Sequence, residues 1–216
     1  MSNVLAIAQK ELKSYFASPI AYIIIGFFAL VFGWFFFVSL TLFMQASLQM
    51  GMPGQGQVNI NNMAIRPLLQ NVSVVALFVL PLITMRTYAE EKRSGTIELL
   101  LTSPLTDTQI ILGKFFGTVA LYALMLAVTW IHIGILFIYG NPEWKPILSG
   151  YLGLLLMGAS FLSIGLLISS LTKNQIVAGM ATFAVLLLLW TLSWKADSAR
   201  PAVQVVLRGL SLTDPF

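Results

Sequence analysis

Long apolar runs at about 20–44, 68–86, 110–139, 147–171 and 176–194 alternate with short polar breaks. Each run is close to the roughly 20 residues that a helix needs to cross a bilayer. The first sixteen residues follow another rhythm. At 100° per residue, Val4, Leu5, Ala8, Leu12, Tyr15 and Phe16 share one arc, with Asn3, Gln9, Lys10, Lys13 and Ser14 opposite, so 2–16 predicts an amphipathic helix lying in the membrane interface. It does not read as a signal peptide, because its apolar positions are periodic and no small-residue cleavage site precedes the first run. Ser18-Pro19 supplies an N-cap and a proline at the first helical position of the first span. Thr106-Asp107-Thr108-Gln109 fits a capping box that starts the third span near Ile110. Gln45 to Ile65, rich in Gly, Gln and Asn with turns at Gly51-Met52-Pro53-Gly54, reads as a loop. Asn141 to Pro146 and Thr172 to Gln175 read as tight turns. In the tail, 195–216, Val203, Val206, Leu207 and Leu210 share a face and predict a short interfacial helix. The fold class is therefore all-α: a polytopic helical membrane protein with five spans, an amphipathic amino-terminal helix and a polar segment, 87–105, between spans two and three.

Inside the runs a few positions stand out. Pro81 removes a backbone hydrogen bond and is expected to kink the second span, whose helix is expected to continue past Arg86 as far as Arg93. Gly113 and Gly117, and the small residues Gly150, Gly153, Gly158, Ser160, Ser163 and Gly165 of the fourth span, permit close helix contact. Trp144, Trp190 and Trp194 suit interface belts, and Arg66 and Arg86 bracket the second span in snorkelling positions. His132 lies deep in the third span, a possible intramembrane polar site. No acidic residue lies within any run to partner it, so a hydrogen-bonded packing role is the plainer reading, and an intramembrane enzyme is set aside.

Composition narrows the classes further. Apolar residues make up 58% of the 216 and mean hydropathy is +0.88, against roughly 45–50% apolar in soluble domains. No segment between the spans is long enough to bury a core of its own, so an ATPase or receptor domain is expected on another chain. The absence of cysteine excludes disulfides, thiolate metal sites and a cysteine nucleophile. Met44, Met50, Met52 and Met63 lack His or Cys nearby and read as packing or loop residues rather than a soft-metal site. The net charge of +4 is spread over loops without a basic stripe, which argues against nucleic acid and for lipid headgroups. No phosphate loop of the form GxxxxGK[ST] occurs, so this chain is expected to bind no ATP or Mg and no other cofactor.

The densest cluster of charge lies in one place. Arg86, Glu90, Glu91, Lys92, Arg93 and Glu98 lie between the second and third runs. Gly95 allows a sharp turn, and a short helix from Thr96 places Ile97, Leu100 and Leu101 at i, i+3 and i+4 before Pro104 stops it. An apolar face of this kind fits a groove on a soluble partner, and Glu98 near the helix start favours its dipole. With a cytoplasmic amino terminus, Lys10, Lys13, Arg86, Lys92, Arg93, Lys114 and Lys173 fall inside and Arg66, Lys145, Lys195, Arg200 and Arg208 outside. The excess inside comes early in the chain, where the positive-inside rule weighs most.

These residues together resemble the membrane subunit of type-2 ABC transporters, in particular the gliding-motility-associated and nitrous-oxide-reductase-maturation permease branch. The resemblance rests on Gln9-Lys10-Glu11-Leu12 with Ser14-Tyr15-Phe16 and Ser18-Pro19, and on the run from Leu80 through Glu90-Glu91-Lys92-Arg93-Ser94-Gly95-Thr96 to Glu98-Leu99-Leu100-Leu101-Thr102-Ser103-Pro104. It implies an elbow helix holding Lys10, Glu11, Lys13 and Tyr15. It also implies a coupling helix, with Glu90, Glu91, Arg93, Gly95, Thr96, Ile97, Glu98, Leu100 and Leu101 docking on a cytoplasmic ATPase that carries ATP and Mg. Further implications are two ATPase copies, a second permease as homo- or heterodimer, and a bacterial inner membrane. Such permeases have six spans, so the natural chain is expected to continue beyond Phe216. A membrane scaffold that assembles a complex and moves nothing is the alternative.

Overall fold

The computed structural model describes residues 3–50, 60–139 and 142–196. Its elements are α1 (Asn3–Ala17), α2 (Pro19–Met50), a π-helical turn (Asn61–Ile65) running into α3 (Arg66–Thr87), α4 (Ala89–Ser94), α5 (Thr96–Leu101), α6 (Asp107–Tyr139), α7 (Trp144–Leu171) and α8 (Gln175–Ala196). No strand occurs among the described residues, and the all-α class holds. Four helices are long and apolar enough to cross a membrane, at Pro19–Leu48, Asn61–Ser94, Asp107–Tyr139 and Trp144–Leu171. The fifth expected span is α8, whose apolar stretch Gln175–Thr191 is shorter, about 25 Å of helix. The turn at Gly51–Gly54 and the tail beyond Ala196, with its expected interfacial helix, lie outside the described residues.

Local chemistry explains where the helices begin. Ser18 Oγ accepts the Ile20 amide at 3.4 Å as α2 starts. Thr106 and Gln109 form the reciprocal capping box: Gln109 N donates to Thr106 Oγ1 at 3.4 Å, and Thr106 N to Gln109 Oε1 at 3.3 Å. Asn174 Oδ1 accepts the Ile176 and Val177 amides at the start of α8.

Helix α3 is the hub of the bundle, packing against α2, α6, α7 and α8. Leu68, Val72, Ala76, Leu77, Leu80 and Ile83 bury its length against Phe28 and Phe32 of α2, Tyr122 and Met125 of α6, Phe161 and Leu162 of α7 and Leu186 of α8. Gly150, Gly158 and Gly165 of α7 leave room for Leu69, Tyr122 and Thr84, as the small-residue pattern predicts, whereas Ser160 and Ser163 bond back to their own helix. By contrast α2 buries under a quarter of its span and turns Phe27, Leu30, Trp34 and Phe37 outward.

Helix α3 runs through Pro81 to Thr87 and, past the single turn residue Tyr88, whose backbone stays in the right-handed helical region, continues as α4 to Ser94, so the expected extension as far as Arg93 is present. One expectation is corrected here. On α1 the buried stripe centres on Ile7 and Glu11, with Leu5 exposed, because the helix lies on α6 and not only against an apolar interface. The bundle thereby has two ends. At one, α1, α4, α5, the start of α6 and the end of α7 gather. At the other, Asn61 pairs with the Glu143 backbone through bonds of 3.3 and 3.2 Å.

Candidate functional site

The gathered end is built on a close helix crossing. A Cβ on Gly113 would lie 2.5 Å from Ile7 Cβ, and one on Gly117 would lie 2.7 Å from Glu11 Cβ. Only glycine lets α1 lie this tightly on α6, and the GxxxG spacing is spent on the elbow helix within the chain. That approach carries Glu11 inward to Lys114, whose side chain is 0% exposed.

Lys114 Nζ donates to Glu11 Oε1 at 2.7 Å and to the Thr87 carbonyl at 3.1 Å. Glu91 Oε2, on α4, stands 2.9 Å away without hydrogen-bond alignment, so this third contact is an ion pair by distance. The Tyr88 ring lies 5.0 Å from the same ammonium. Exposed Lys10 reaches Glu91 Oε1 at 3.7 Å, so two cations and two carboxylates balance. A buried ammonium is tolerated only with such compensation. Beside it Tyr15 shares a 2.8 Å bond with Thr87 Oγ1 and donates to the Ile83 carbonyl at 3.2 Å. Removal from water pushes its phenol above the ordinary tyrosine range, so it stays a neutral donor.

The arm has a second anchor. Ser169 Oγ of α7 accepts the amides of Tyr88 and Ala89, both at 3.2 Å, where α3 gives way to α4. Lys92 Nζ returns the bond to the Ser170 carbonyl at the end of α7. Arg86 grips Glu90 through both oxygens, at 2.9 and 3.2 Å. A cleft opens between α1 and the arm, lined by Lys10, Glu11, Ser14, Tyr15, Arg86, Thr87, Glu90, Glu91, Ser94 and Thr96.

Gly95 follows in the left-handed conformation, φ 76°, and turns the chain into α5. On that helix Leu99 is 74% exposed, Thr96 and Glu98 are exposed, and Ile97 and Leu100 are half-buried. Ile97 and Leu100 of the expected apolar face are thus turned partly onto the chain, and Leu99 is presented outward. The Leu101 side chain lies outside the described residues. Arg93 and Lys13 are exposed and stand apart from the Lys114 cluster. His132 sits far from it as well, between Phe32 and Phe36 of α2 with ring centroids at 5.3 Å, and its buried Nδ1 has no hydrogen-bond partner among the described residues.

Sequence reasoning counted Lys114 among the inside cations and missed its burial. The signal was there: a lone cation inside an apolar run, and Glu11 only about 20° from the edge of the α1 apolar arc.

Two comparisons bear on this architecture. Residues 53–208 match the family described as ABC-2 family transporter protein. Over 116 residues the chain is 30% identical to the probable multidrug ABC transporter permease YbhR of Escherichia coli K12 and of Escherichia coli O157:H7. The match covers 54% of this chain and 31% of each relative, so it spans about a third of their length. With apolar helices long enough to cross a membrane and a family match over most of its length, this multi-pass chain belongs to the ABC-2 family of transporter proteins.

Proposed function

We propose that the chain is a permease subunit whose α4 and α5 receive a separate cytoplasmic ATPase and carry its nucleotide-driven movement into the spans. One observation carries this reading. Leu99 projects from a short helix that Gly95 turns off an arm tied to α6 through Lys114 and to α7 through Ser169. An exposed apolar side chain among charges, on an element braced against two spans, suits a partner that pushes. Family membership and the E. coli permeases support the same role. The gathered end then faces the cytoplasm, with the amino terminus inside and the chain in a bacterial inner membrane. Two ATPases serving a pair of permeases, in the gliding-motility or nitrous-oxide-reductase-maturation branch, is the assembly the sequence resemblance implies.

Substitution tests the docking foot. In tagged chain purified from its own cells, Leu99→Asp is expected to reduce a co-purifying ABC ATPase at least tenfold while the yield of folded chain stays constant. An ATPase recovered at wild-type level with Leu99→Asp contradicts the reading.

A further inference from the structure

We propose that Lys114 is a positioning residue that clamps the elbow helix to the arm, so that α1 and α4 move as one body when the foot is pushed. This rests on the docking reading for the push, but not for the clamp. The geometry points to it because a single ammonium serves three elements: it lies in α6, bonds Glu11 of α1 at 2.7 Å, and pairs with Glu91 of α4 at 2.9 Å. Its remaining bond goes to the Thr87 carbonyl at the end of α3. The two carboxylates come from helices with no extensive packing of their own against each other; exposed Lys10 of α1 reaches Glu91 at 3.7 Å from the solvent side, and the Lys114 ammonium is the buried link between them.

Stability alone does not call for charge here. Apolar side chains of similar volume fill such sites as well or better, but they slide over one another, whereas an ion pair with hydrogen bonds fixes distance and direction. The tight α1–α6 seat at Gly113 and Gly117 sets the elbow on one side, and Glu91 fixes the arm on the other. Burial keeps competing water from Nζ, so the clamp does not depend on surface screening.

Because the chain has no cysteine, two introduced cysteines report without background. Nitroxides at Leu5→Cys on α1 and Arg93→Cys on α4, both exposed in the native chain, give the elbow–arm distance in lipid nanodiscs. The native clamp is expected to give one narrow distribution, unchanged when the complex with the ATPase is trapped with ATP and vanadate. Lys114→Met is expected to broaden it at least twofold. The triple variant Glu11→Met, Lys114→Met, Glu91→Met leaves no buried charge unpaired, Lys10 being exposed to water, so it is expected to keep its folded yield and still broaden. A triple variant as narrow as the native chain, or a native distance that shifts on trapping, overturns the clamp. Failure of the ATPase to bind the unlabelled native chain contradicts the docking reading instead, and the distance in the chain alone still decides the clamp.

Discussion

Lys114 keeps a full charge where water is excluded, and the consequence is asymmetric. Removing it strands Glu11 and leaves Glu91 only the longer contact to Lys10, and breaking a buried pair in this way costs about 3–5 kcal/mol. Lys114→Ala is therefore expected to unfold well before the native chain in a denaturant titration of purified protein, and adding Glu11→Met with Glu91→Met is expected to recover most of the loss. A triple variant as unstable as the single one contradicts this account of the charge. Ser169 acts on a smaller scale. Its hydroxyl accepts two amides at the Tyr88 turn, and leaving such donors without an acceptor costs about 1–3 kcal/mol. Ser169→Ala is expected to speed amide hydrogen exchange at Tyr88 and Ala89 with little change in the middle of α3. Exchange rates that stay unchanged at those two amides contradict the staple.

At the scale of elements, each joint of the arm and foot is specified. Gly95 at φ 76° sets the angle between them, and an L side chain there costs about 1–2 kcal/mol. Gly95→Val is expected to weaken ATPase co-purification several-fold without loss of membrane insertion, whereas wild-type recovery would show that the angle does not matter. Much of this scale was legible in the sequence. Ser18-Pro19, the Thr106–Gln109 box and Gly95 act through near neighbours, so spacing alone revealed them. The turn at Tyr88 was not legible, because its amide is held by Ser169, eighty-one residues downstream. The buried stripe of α1 was likewise set by a distant surface: Gly113 and Gly117 draw Ile7 and Glu11 inward, against the pattern that put Leu5 on the apolar face. Lys114 was readable as an anomaly in an apolar run, but its partners lie on two other helices. The outward face of α5 depended on how the foot rests on the arm, and periodicity is silent on that.

For the whole molecule, what matters is that the bundle has two unlike ends. One collects the elbow, the arm, the foot and most of the paired charge, and the other closes with the Asn61–Glu143 pairing. Opposite ends of long apolar helices fall on opposite sides of a membrane, so a partner that pushes on Leu99 cannot also touch Trp144. The most direct test of the central claim uses a photoreactive amino acid at each of these exposed positions in intact cells. With the reactive group at Leu99, the account predicts a crosslink to an ABC ATPase, identified by mass spectrometry, and none with the group at Trp144. A crosslink to the ATPase from Trp144, or none from Leu99 while the ATPase still co-purifies, would contradict it.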